Sequence, residues 1–162
     1  MFDIIEEIDS LKKSVADSKA LEVVAVDIVD VICNGLNIER CSIWHLEGGG
    51  ELLRCEIMLE RSKGLMREPM VLAHQDYPQY FAALLTGQPI IANDARTQPS
   101  TREFTNIYLV PNDIYSMLDI PIIKSGVLKG IICCEQVGSK KVWSGSDQAF
   151  LSQIADVVTP LF

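Results

Sequence analysis

The sequence lacks the features that several functional classes require. No apolar run approaches the roughly 18 residues of a membrane helix. The 14 lysines and arginines are outnumbered by 22 acids, and they form nothing larger than pairs such as Lys12-Lys13 and Lys140-Lys141. Contacts with phosphate backbones need clustered positive charge, so we expect neither nucleic acid nor a membrane as a partner. The acidic start, MFDIIEEIDS, does not resemble a secretory signal, and we expect a soluble cytoplasmic protein.

Cysteine and histidine are too few and too scattered for a disulfide framework or a metal site. The five cysteines are odd in number, form no CxxC pair and lie mostly in apolar stretches, which indicates free thiols in a reducing compartment. His45 and His74 match no metal-ligand spacing, so we expect no metal. No Ser-His-Asp set, phosphate-binding glycine loop or metal motif is present, and we expect no catalysis.

The sequence does contain the pattern of one α+β domain. Its 162 residues, of which 48% are apolar, suffice for one sizeable core. Two strand pairs predict hairpins, at residues 41–46 with 52–59 and across residues 114–137 around Lys124-Ser125-Gly126. Helical spacing predicts helices at residues 4–15, from Leu21 to a stop at Asn34-Gly35, after an N-cap at Asp76, at 103–109 and after Ser144. Short strands are predicted at residues 70–73 and 89–92, and a charged loop at 60–68.

Two acids interrupt the otherwise apolar second hairpin. Asp119 and Glu135 lie in segments apolar enough to be covered on both faces, and burying a carboxylate without a partner costs several kcal/mol. We therefore predict a cavity that holds a ligand, water or a cation beside them. Alternatively, Asp119 caps a loop and Glu135 lies at a solvated strand end. Because side chains alternate along a strand, Met117 shares a face with Asp119, and Cys133 shares one with Glu135.

The order of elements and three segments of the chain resemble a GAF domain. The segments are SMLDIPI, VLKGIICCEQVG and WSGSDQAF, and the resemblance extends over residues 21–158. It implies a central antiparallel sheet of about six strands, terminal helices on one face, and loops and short helices over a pocket on the other. It also implies a signalling and dimerisation helix at residues 1–16 before the domain at 17–162. The homodimer would form through the N- and C-terminal helices, with an interface at Ile4, Ile8, Leu11 and Val15, which recur at helical spacing.

The same resemblance selects the residues expected to contact a small molecule. It orients one face of the second hairpin and of the first strand toward the pocket, and it places aromatic side chains in the lid and walls. The ligand-binding residues predicted in this way are Trp44, Tyr80, Phe81, Phe104, Tyr108, Met117, Asp119, Cys133 and Glu135. Such a mostly apolar lining with two carboxylates favours a cationic or donor-rich ligand over a phosphate. For each aromatic residue the alternative is plain core packing, and Arg96 and Arg102 could instead pair with the acids in a network that holds no ligand.

One branch of the family binds bilin chromophores. The Asp76-x-Pro78 segment looks like the Asp-x-Pro motif of those photoreceptor domains, and Tyr108 matches a tyrosine that they often carry before the second hairpin. However, residues 102–106 contain no cysteine for the linkage, and Glu135 stands where many of them have histidine. We therefore expect no covalently attached bilin, and we interpret Asp76-x-Pro78 as a helix N-cap.

Two other branches also match poorly. Cyclic-nucleotide-binding GAF domains carry an Asn-Lys pair where this chain has Glu135-Gln136-Val137, although Trp143 and Asp147 match loosely. Free methionine sulfoxide reductases of GAF type need a redox cysteine in a loop over the pocket, whereas Cys133 and Cys134 lie in a predicted strand beside an acid. Both activities are therefore weaker interpretations than a non-catalytic role.

The sequence thus predicts a non-catalytic sensory or regulatory module. It would bind an unknown small molecule and transmit that event through its terminal helices to an output domain or partner protein. The alternative is a ligand-free homodimerisation or interaction module whose cavity is filled by Trp44, Tyr108 and Met117. No kinase, cyclase or DNA-binding segment is recognisable, so we expect the output to come from a partner or from a longer parent protein.

Overall fold

The computed structural model describes residues 1–66 and 70–162, in which helices flank one antiparallel sheet. The helices are α1 (Ile4–Ser18), α2 (Leu21–Leu36), α3 (Pro78–Leu84) and α4 (Gly145–Val158). The strands are β1 (Arg40–Glu47), β2 (Leu52–Glu60), β3 (Gly64–Met66), β4 (Val71–Ala73), β5 (Ile90–Ala92), β6 (Ile114–Lys124) and β7 (Val127–Val137). Shorter turns are the 3₁₀ turns Arg102–Phe104 and Thr159–Leu161 and the π-helical turn Thr105–Leu109. None of the described helices has both the length and the apolar character needed to cross a membrane.

The sheet has the strand order β3-β2-β1-β7-β6-β5, and β4 also pairs with β2. The prediction of an α+β fold with a central antiparallel sheet of about six strands is therefore confirmed. Both predicted hairpins are present, and their tight turns use backbone angles that glycine adopts easily, as at Gly49 with φ +68° and Gly126 with φ +77°. In the β6–β7 pair, Met117 lies opposite Glu135 and Asp119 lies opposite Cys133.

Helices α1, α2 and α4 cover one face of the sheet. Their apolar side chains form a core with every second residue of the central strands, for example Ile28 and Ile32 of α2 with Ile132 of β7, all fully buried. Gly35 fits this layer because a Cβ atom there would collide with the Phe150 ring of α4. Burial of each such aliphatic side chain contributes about 1.5–3 kcal/mol, so this layer anchors the terminal helices to the sheet.

The apolar seam of α1 packs inward, which changes the interpretation of the predicted dimer interface. Ile8, Leu11 and Val15 are buried in the core that α1 shares with α2 and α4 of the same chain, whereas Ile4 is 42% exposed. In this arrangement the three buried side chains are not available to a second chain. The spacing of the seam correctly indicated a packed helix face, but spacing alone does not identify the surface that covers it. Dimerisation itself stays a prediction.

The other face of the sheet is covered by α3 and the turns that follow β5. Tyr80, Phe81 and Leu84 of α3 are buried there, and the prediction of Asp76 as the N-cap is wrong. Instead, the Glu103 carboxylate accepts hydrogen bonds from the backbone N–H groups of Gln79 and Tyr80, each at 3.0 Å. A carboxylate at this position satisfies otherwise unpaired helix N–H groups, and it fixes the turn containing Glu103 to the start of α3.

Several predicted element boundaries need correction. Helix α2 continues past Asn34-Gly35 to Leu36, because Asn37 adopts the left-handed conformation that ends it. Residues 64–66 of the predicted charged loop form β3 against β2, and residues 67–68 of that loop lie outside the described part of the chain. The predicted helix at 103–109 is a 3₁₀ turn followed by a π-helical turn. The predicted start of α4 is confirmed, because Ser144 and Asp147 form a reciprocal capping box.

Two further features lie at the edges of the sheet. Strand β5 pairs only with residues 117–119 of β6, so within the described residues the stretch 120–124, which includes Pro121, forms an outer edge. At the last residue of the same stretch, the Lys124 ammonium donates to the backbone oxygen of Phe162 at 2.6 Å. The Phe162 ring lies 4.9 Å from the His45 ring and packs against Gly130, where a Cβ atom would also strike the Trp44 carbonyl. The end of the chain therefore rests directly behind β1 and β7.

Candidate functional site

A cavity of about 270 Å³ lies between the sheet and the layer formed by α3 and the turns after β5. It is mostly apolar, and its described lining residues are Trp44, Leu53, Met70, Val71, Leu72, Tyr77, Tyr80, Phe104, Ile107, Tyr108, Met117, Ile131, Cys133 and Glu135. Seven of the nine residues predicted to bind a ligand are among them. Phe81 is instead fully buried and stacked on His74 at 5.0 Å, and Asp119 lies behind Tyr80 and Cys133. A role in binding stays a prediction for all nine.

A buried arginine lies behind the polar part of the cavity wall, next to Glu135 and Tyr108. The guanidinium of Arg40, which is only 2% exposed, donates from Nε to Glu135 Oε1 at 3.2 Å and from Nη1 to Glu60 Oε2. Its Nη2 donates to the Tyr108 hydroxyl at 2.9 Å and to the Met58 sulfur at 3.0 Å. Arginine can donate five N–H bonds in a fixed plane, and here four donor contacts are made within the protein. Its charge compensates two buried carboxylates.

The sequence did not reveal this network. Arg40 and Glu60 face each other across β1 and β2, and Arg40 faces Glu135 across β1 and β7, so the ion pairs depend on long-range strand register. The alternative in which Arg96 and Arg102 pair with the acids is not what the structure shows. Arg102 is exposed, and Arg96 donates to the Ile114 carbonyl at 2.9 Å while stacking on Tyr115. An arginine at the start of an apolar strand was the only local signal.

Glu135 is fully buried but only partly satisfied. Its Oε1 accepts from Arg40 and from the Tyr108 hydroxyl at 2.9 Å, whereas its Oε2 has no hydrogen-bond partner among the described residues. Burial raises the pKa of this carboxyl, while the charge of Arg40 and the hydrogen bonds from Tyr108 and Arg40 oppose that rise. A buried acceptor without a partner costs about 1–3 kcal/mol, so this oxygen is a position where a further hydrogen bond would be favourable.

Asp119 is the second buried acid, and its environment is different. The Tyr80 hydroxyl donates to its Oδ2, and no described residue bonds its Oδ1. Burial raises the pKa of Asp119 from 3.8 to about 7, the hydrogen bond from Tyr80 and the nearby thiol of Cys133 partly offset this, and the nearby charge of Glu135 adds to it. No cation lies against this carboxylate in the described part of the chain. Asp119 therefore lies behind the cavity wall with a pKa close to neutral pH.

The cysteines are unsuited to act as nucleophiles. All five are free and buried, and burial raises the pKa of every thiol, including that of Cys133 in the cavity wall. A thiolate is the reactive form, and burial outweighs the few contacts that would stabilise it, so these thiols stay protonated at neutral pH. Within residues 1–66 and 70–162, no three His, Cys, Asp or Glu side chains form a group that could hold a metal ion. The arrangement can bind a small molecule by burial and hydrogen bonding.

Aromatic rings hold the outer wall of the cavity together. Phe104 contacts Tyr77 and Tyr80, with ring centroids 4.7 and 4.9 Å apart, and it lies 6.3 Å from Tyr108. The π-helical turn Thr105–Leu109 carries Tyr108 toward Glu135 and places the exposed Ile107 at the rim. Such π-helical turns are rare and often occur at functional sites.

Comparison with known proteins agrees with this fold. A family model described as GAF domain matches residues 20–159. The structure is similar to the GAF domain from Acinetobacter phosphoenolpyruvate-protein phosphotransferase, with a TM-score of 0.77 and 11% identity over 99% of this chain and 93% of that chain. Curated protein sequences give no match.

Two further solved structures come from sensory proteins. One is a methyl-accepting chemotaxis protein, residues 122 to 287, with a TM-score of 0.74 and 14% identity over 93% of both chains. The other is a far-red cyanobacteriochrome photoreceptor, with a TM-score of 0.72 and 16% identity over 94% of this chain and 91% of that chain. At these identities the likeness establishes the fold alone.

Proposed function

Because this chain belongs to the GAF domain family, we propose that it is a non-catalytic sensory or regulatory module that binds a small molecule in the cavity beside Glu135. Binding is transmitted through the terminal helices to an output domain or partner protein. Sensory and regulatory roles fit the structural relatives, which include a photoreceptor, a chemotaxis protein and a phosphotransferase domain.

The cavity beside a half-satisfied buried carboxylate is the observation that carries this proposal. Ligand sites in proteins are concave and mostly apolar, with a few convergent polar groups that fix orientation. The cavity has that character, and its volume of about 270 Å³ is close to the lower end of the usual range for such sites, roughly 300–1,000 Å³. A ligand that bonds Glu135 would also relieve the cost of burying that oxygen unpaired.

The sheet supplies a short route from the cavity to the helices. Along β7, Cys133 lines the cavity, while its neighbours Ile132 and Cys134 belong to the core under α2 and α4. Along β6, Met117 lies on the cavity side of the sheet and its neighbour Leu118 belongs to the core under the helices. Protein cores are close-packed, so displacement of a strand by a ligand must be accommodated on the helix side as well.

A second contact links the cavity wall to the end of the chain. Trp44 lines the cavity, its neighbour His45 contacts the Phe162 ring, and Gly130 lies between the Trp44 carbonyl and that ring. Movement of Trp44 on ligand binding would therefore change the packing of the Phe162 ring against His45 and Gly130. We propose that this contact, together with the packing of α1 and α4, passes the signal outward.

Three finer parts of the proposal concern assembly and location. We propose a homodimer that uses the outer surfaces of the terminal helices, since the inner seam of α1 is already covered. Ile5 of α1 is exposed there, as is Val23 of the adjoining α2. The protein is proposed to act in the cytoplasm, without nucleic acid, metal or a covalent bilin. A dimer requires that the mass in solution correspond to two chains, and a monomer at high micromolar concentration would contradict that part alone.

Native mass spectrometry of the freshly purified chain tests binding directly. We expect a retained small molecule, or stabilisation by at least one member of a broad metabolite panel in a thermal-shift assay. Ile131→Phe places a larger side chain in the cavity wall and should abolish either signal. Val127→Phe makes a matched addition at an exposed position on the same strand and should not. If no retained mass and no stabilisation are found, the ligand-free interaction module becomes the better interpretation.

A further inference from the structure

The polar groups of the cavity wall can be sorted by what they still have to offer a ligand. Hydrocarbon side chains make up most of the described lining. The members with N–H, O–H, S–H or carboxylate groups are Trp44, Tyr77, Tyr80, Tyr108, Cys133 and Glu135. A ligand must complement the donors and acceptors among these that the protein has not already used.

Most of the strong donors are committed to the protein. The indole N–H of Trp44 donates to Ser42 Oγ at 2.8 Å, and the Tyr108 hydroxyl donates to Glu135 at 2.9 Å. The Tyr80 hydroxyl donates to Asp119 Oδ2. Among the described lining side chains, the hydroxyl of the partly exposed Tyr77 and the weakly donating thiol of Cys133 keep a donor without a protein partner.

Positive charge is also unavailable to a ligand. Arg40 is the buried cation nearest the cavity, but it lies behind the lining and already donates to two carboxylates, a tyrosine hydroxyl and a sulfur. An anionic ligand would enter beside the carboxylate of Glu135 with no free cation among the described lining residues to compensate it. Burying like charges together without compensation is strongly unfavourable.

What remains is one strong acceptor. Glu135 Oε2 belongs to a fully buried carboxylate in the lining, and no described residue donates to it. Buried polar atoms are nearly always paired in folded proteins, and bonds to charged acceptors are the stronger ones. The other two buried side-chain oxygens without a partner in the described part of the chain, Asp119 Oδ1 and Gln136 Oε1, belong to residues outside the lining.

We propose that the cavity selects a small, largely apolar molecule that presents an N–H or N⁺–H donor to Glu135 Oε2. Carboxylates, phosphates and acceptor-only molecules are rejected. This inference rests on the proposed function, because it names the ligand class of the same cavity. The volume of about 270 Å³ sets the size, since a cavity of roughly 150 Å³ holds benzene. One ring with a short substituent, or two fused rings, would fit.

A probe set of matched shape tests the class. Benzamidine and indole supply donors, benzoate supplies an anionic acceptor, methyl benzoate a neutral acceptor, and toluene neither. Each is titrated into the full chain at about pH 8, and binding is followed by NMR of the methyl groups of Leu53, Met117 and Ile131 in the cavity wall. We expect the donor probes to bind at least about tenfold more tightly than toluene, and benzoate not to bind.

Two variants separate the carboxylate from the general electrostatics. In Glu135→Gln, the amide oxygen can keep the bonds from Arg40 and Tyr108, which leaves an N–H₂ group where Oε2 stood. Donor probes should then lose about tenfold or more in affinity, and methyl benzoate should gain. Glu60→Gln is the matched control, because it removes a charge from the same Arg40 outside the lining and should leave the ranking unchanged.

The outcomes distinguish the two proposals. If benzoate or methyl benzoate binds the native cavity as well as the donor probes do, the ligand class is wrong while the sensory function stands. If Glu135→Gln leaves the ranking intact, the assignment to Glu135 is overturned. If that variant fails to fold, the ranking on the native chain together with the methyl positions that shift decides the matter. If no probe perturbs the cavity methyl groups at millimolar concentration, both the ligand class and the proposed function fail.

Discussion

Replacing Asp119 by asparagine should change how the stability of this domain depends on pH. The carboxyl group is 1% exposed, accepts a hydrogen bond from Tyr80 and has no cation against it among the described residues. Burial is the main reason that its pKa rises from 3.8 to about 7. Asparagine keeps an acceptor for the Tyr80 hydroxyl but never carries the charge that burial penalises.

The direction of the pKa shift determines whether Asp119 stabilises the folded protein at low or at high pH. The folded protein holds the Asp119 proton up to about pH 7, whereas the unfolded chain releases it near pH 4. Stability from this group is therefore complete below about pH 4 and is lost as the pH rises through about 7. The contribution of Asp119 to the free energy of unfolding changes by on the order of 4 kcal/mol from low to high pH, and about 2–3 kcal/mol of this change falls between pH 5 and pH 8. Relative to the native chain, Asp119→Asn should gain that amount over this range.

Urea unfolding followed by circular dichroism at pH 5, 6, 7 and 8 would measure the effect, with the slope against urea expected to be unchanged. Asp94→Asn is the control. Asp94 lies at the surface 2.8 Å from the Lys140 ammonium, whose hydrogen bond lowers the pKa of Asp94. The stabilisation from the Asp94 carboxylate is present above the pKa that it has in the unfolded chain, so it is constant from pH 5 to pH 8. Asp94→Asn should therefore lower the free energy of unfolding by less than about 1 kcal/mol at every pH.

Parallel stability curves for the native chain and Asp119→Asn would refute this reasoning. They would mean that the carboxyl group keeps one protonation state from pH 5 to pH 8. If Asp119→Asn were stabilised relative to the native chain more at pH 5 than at pH 8, the pKa of Asp119 could not be raised in the folded protein.

Two other predictions concern the packing around the cavity. Arg40→Met leaves two buried carboxylates without their cation and should lower the free energy of unfolding by about 3–5 kcal/mol, whereas Lys63→Met removes a cation that is 64% exposed and should lower it by less than about 1 kcal/mol. Similar losses in urea unfolding of the two variants would contradict the assignment of Arg40 as the central cation. Gly130→Ala drives a methyl group into the Trp44 carbonyl and should destabilise by about 1–3 kcal/mol, while Gly145→Ala enters open space and should be neutral or slightly stabilising. A tolerated alanine at position 130 would show that β1 and β7 can separate there.

Local patterns in the sequence were enough to predict the second hairpin and its buried acids. An apolar run with β-branched residues indicates a strand, and alternation shows which residues share a face. The resemblance to GAF domains then oriented the face with Met117, Cys133 and Glu135 toward the cavity. The burial of Asp119 followed from the same pattern. These features depend on residues within one hairpin, where the sequence separation is short and the register is set by the turn.

Features that depend on distant pairings could not be predicted in this way. The ion pairs of Arg40 require β1 to lie beside both β2 and β7 in a particular register, and the cap of α3 comes from Glu103, 24 residues away from Gln79. The seam of α1 gave the correct packed face, but nothing in its spacing distinguishes a helix of the same chain from a second copy. Sequence periodicity reports that a surface is covered, and tertiary structure decides what covers it.

The short length of β5 has a consequence for the aggregation of this domain when it is expressed. The stretch 120–124 of β6 carries the exposed side chain of Ile123 along a free border, and such borders invite strands of other molecules to join and build insoluble fibrils. Pro121 lies within that border and has no N–H group to offer an incoming strand. Pro121→Val would supply that donor and raise β-propensity, and we therefore expect it to lower the soluble yield of the domain.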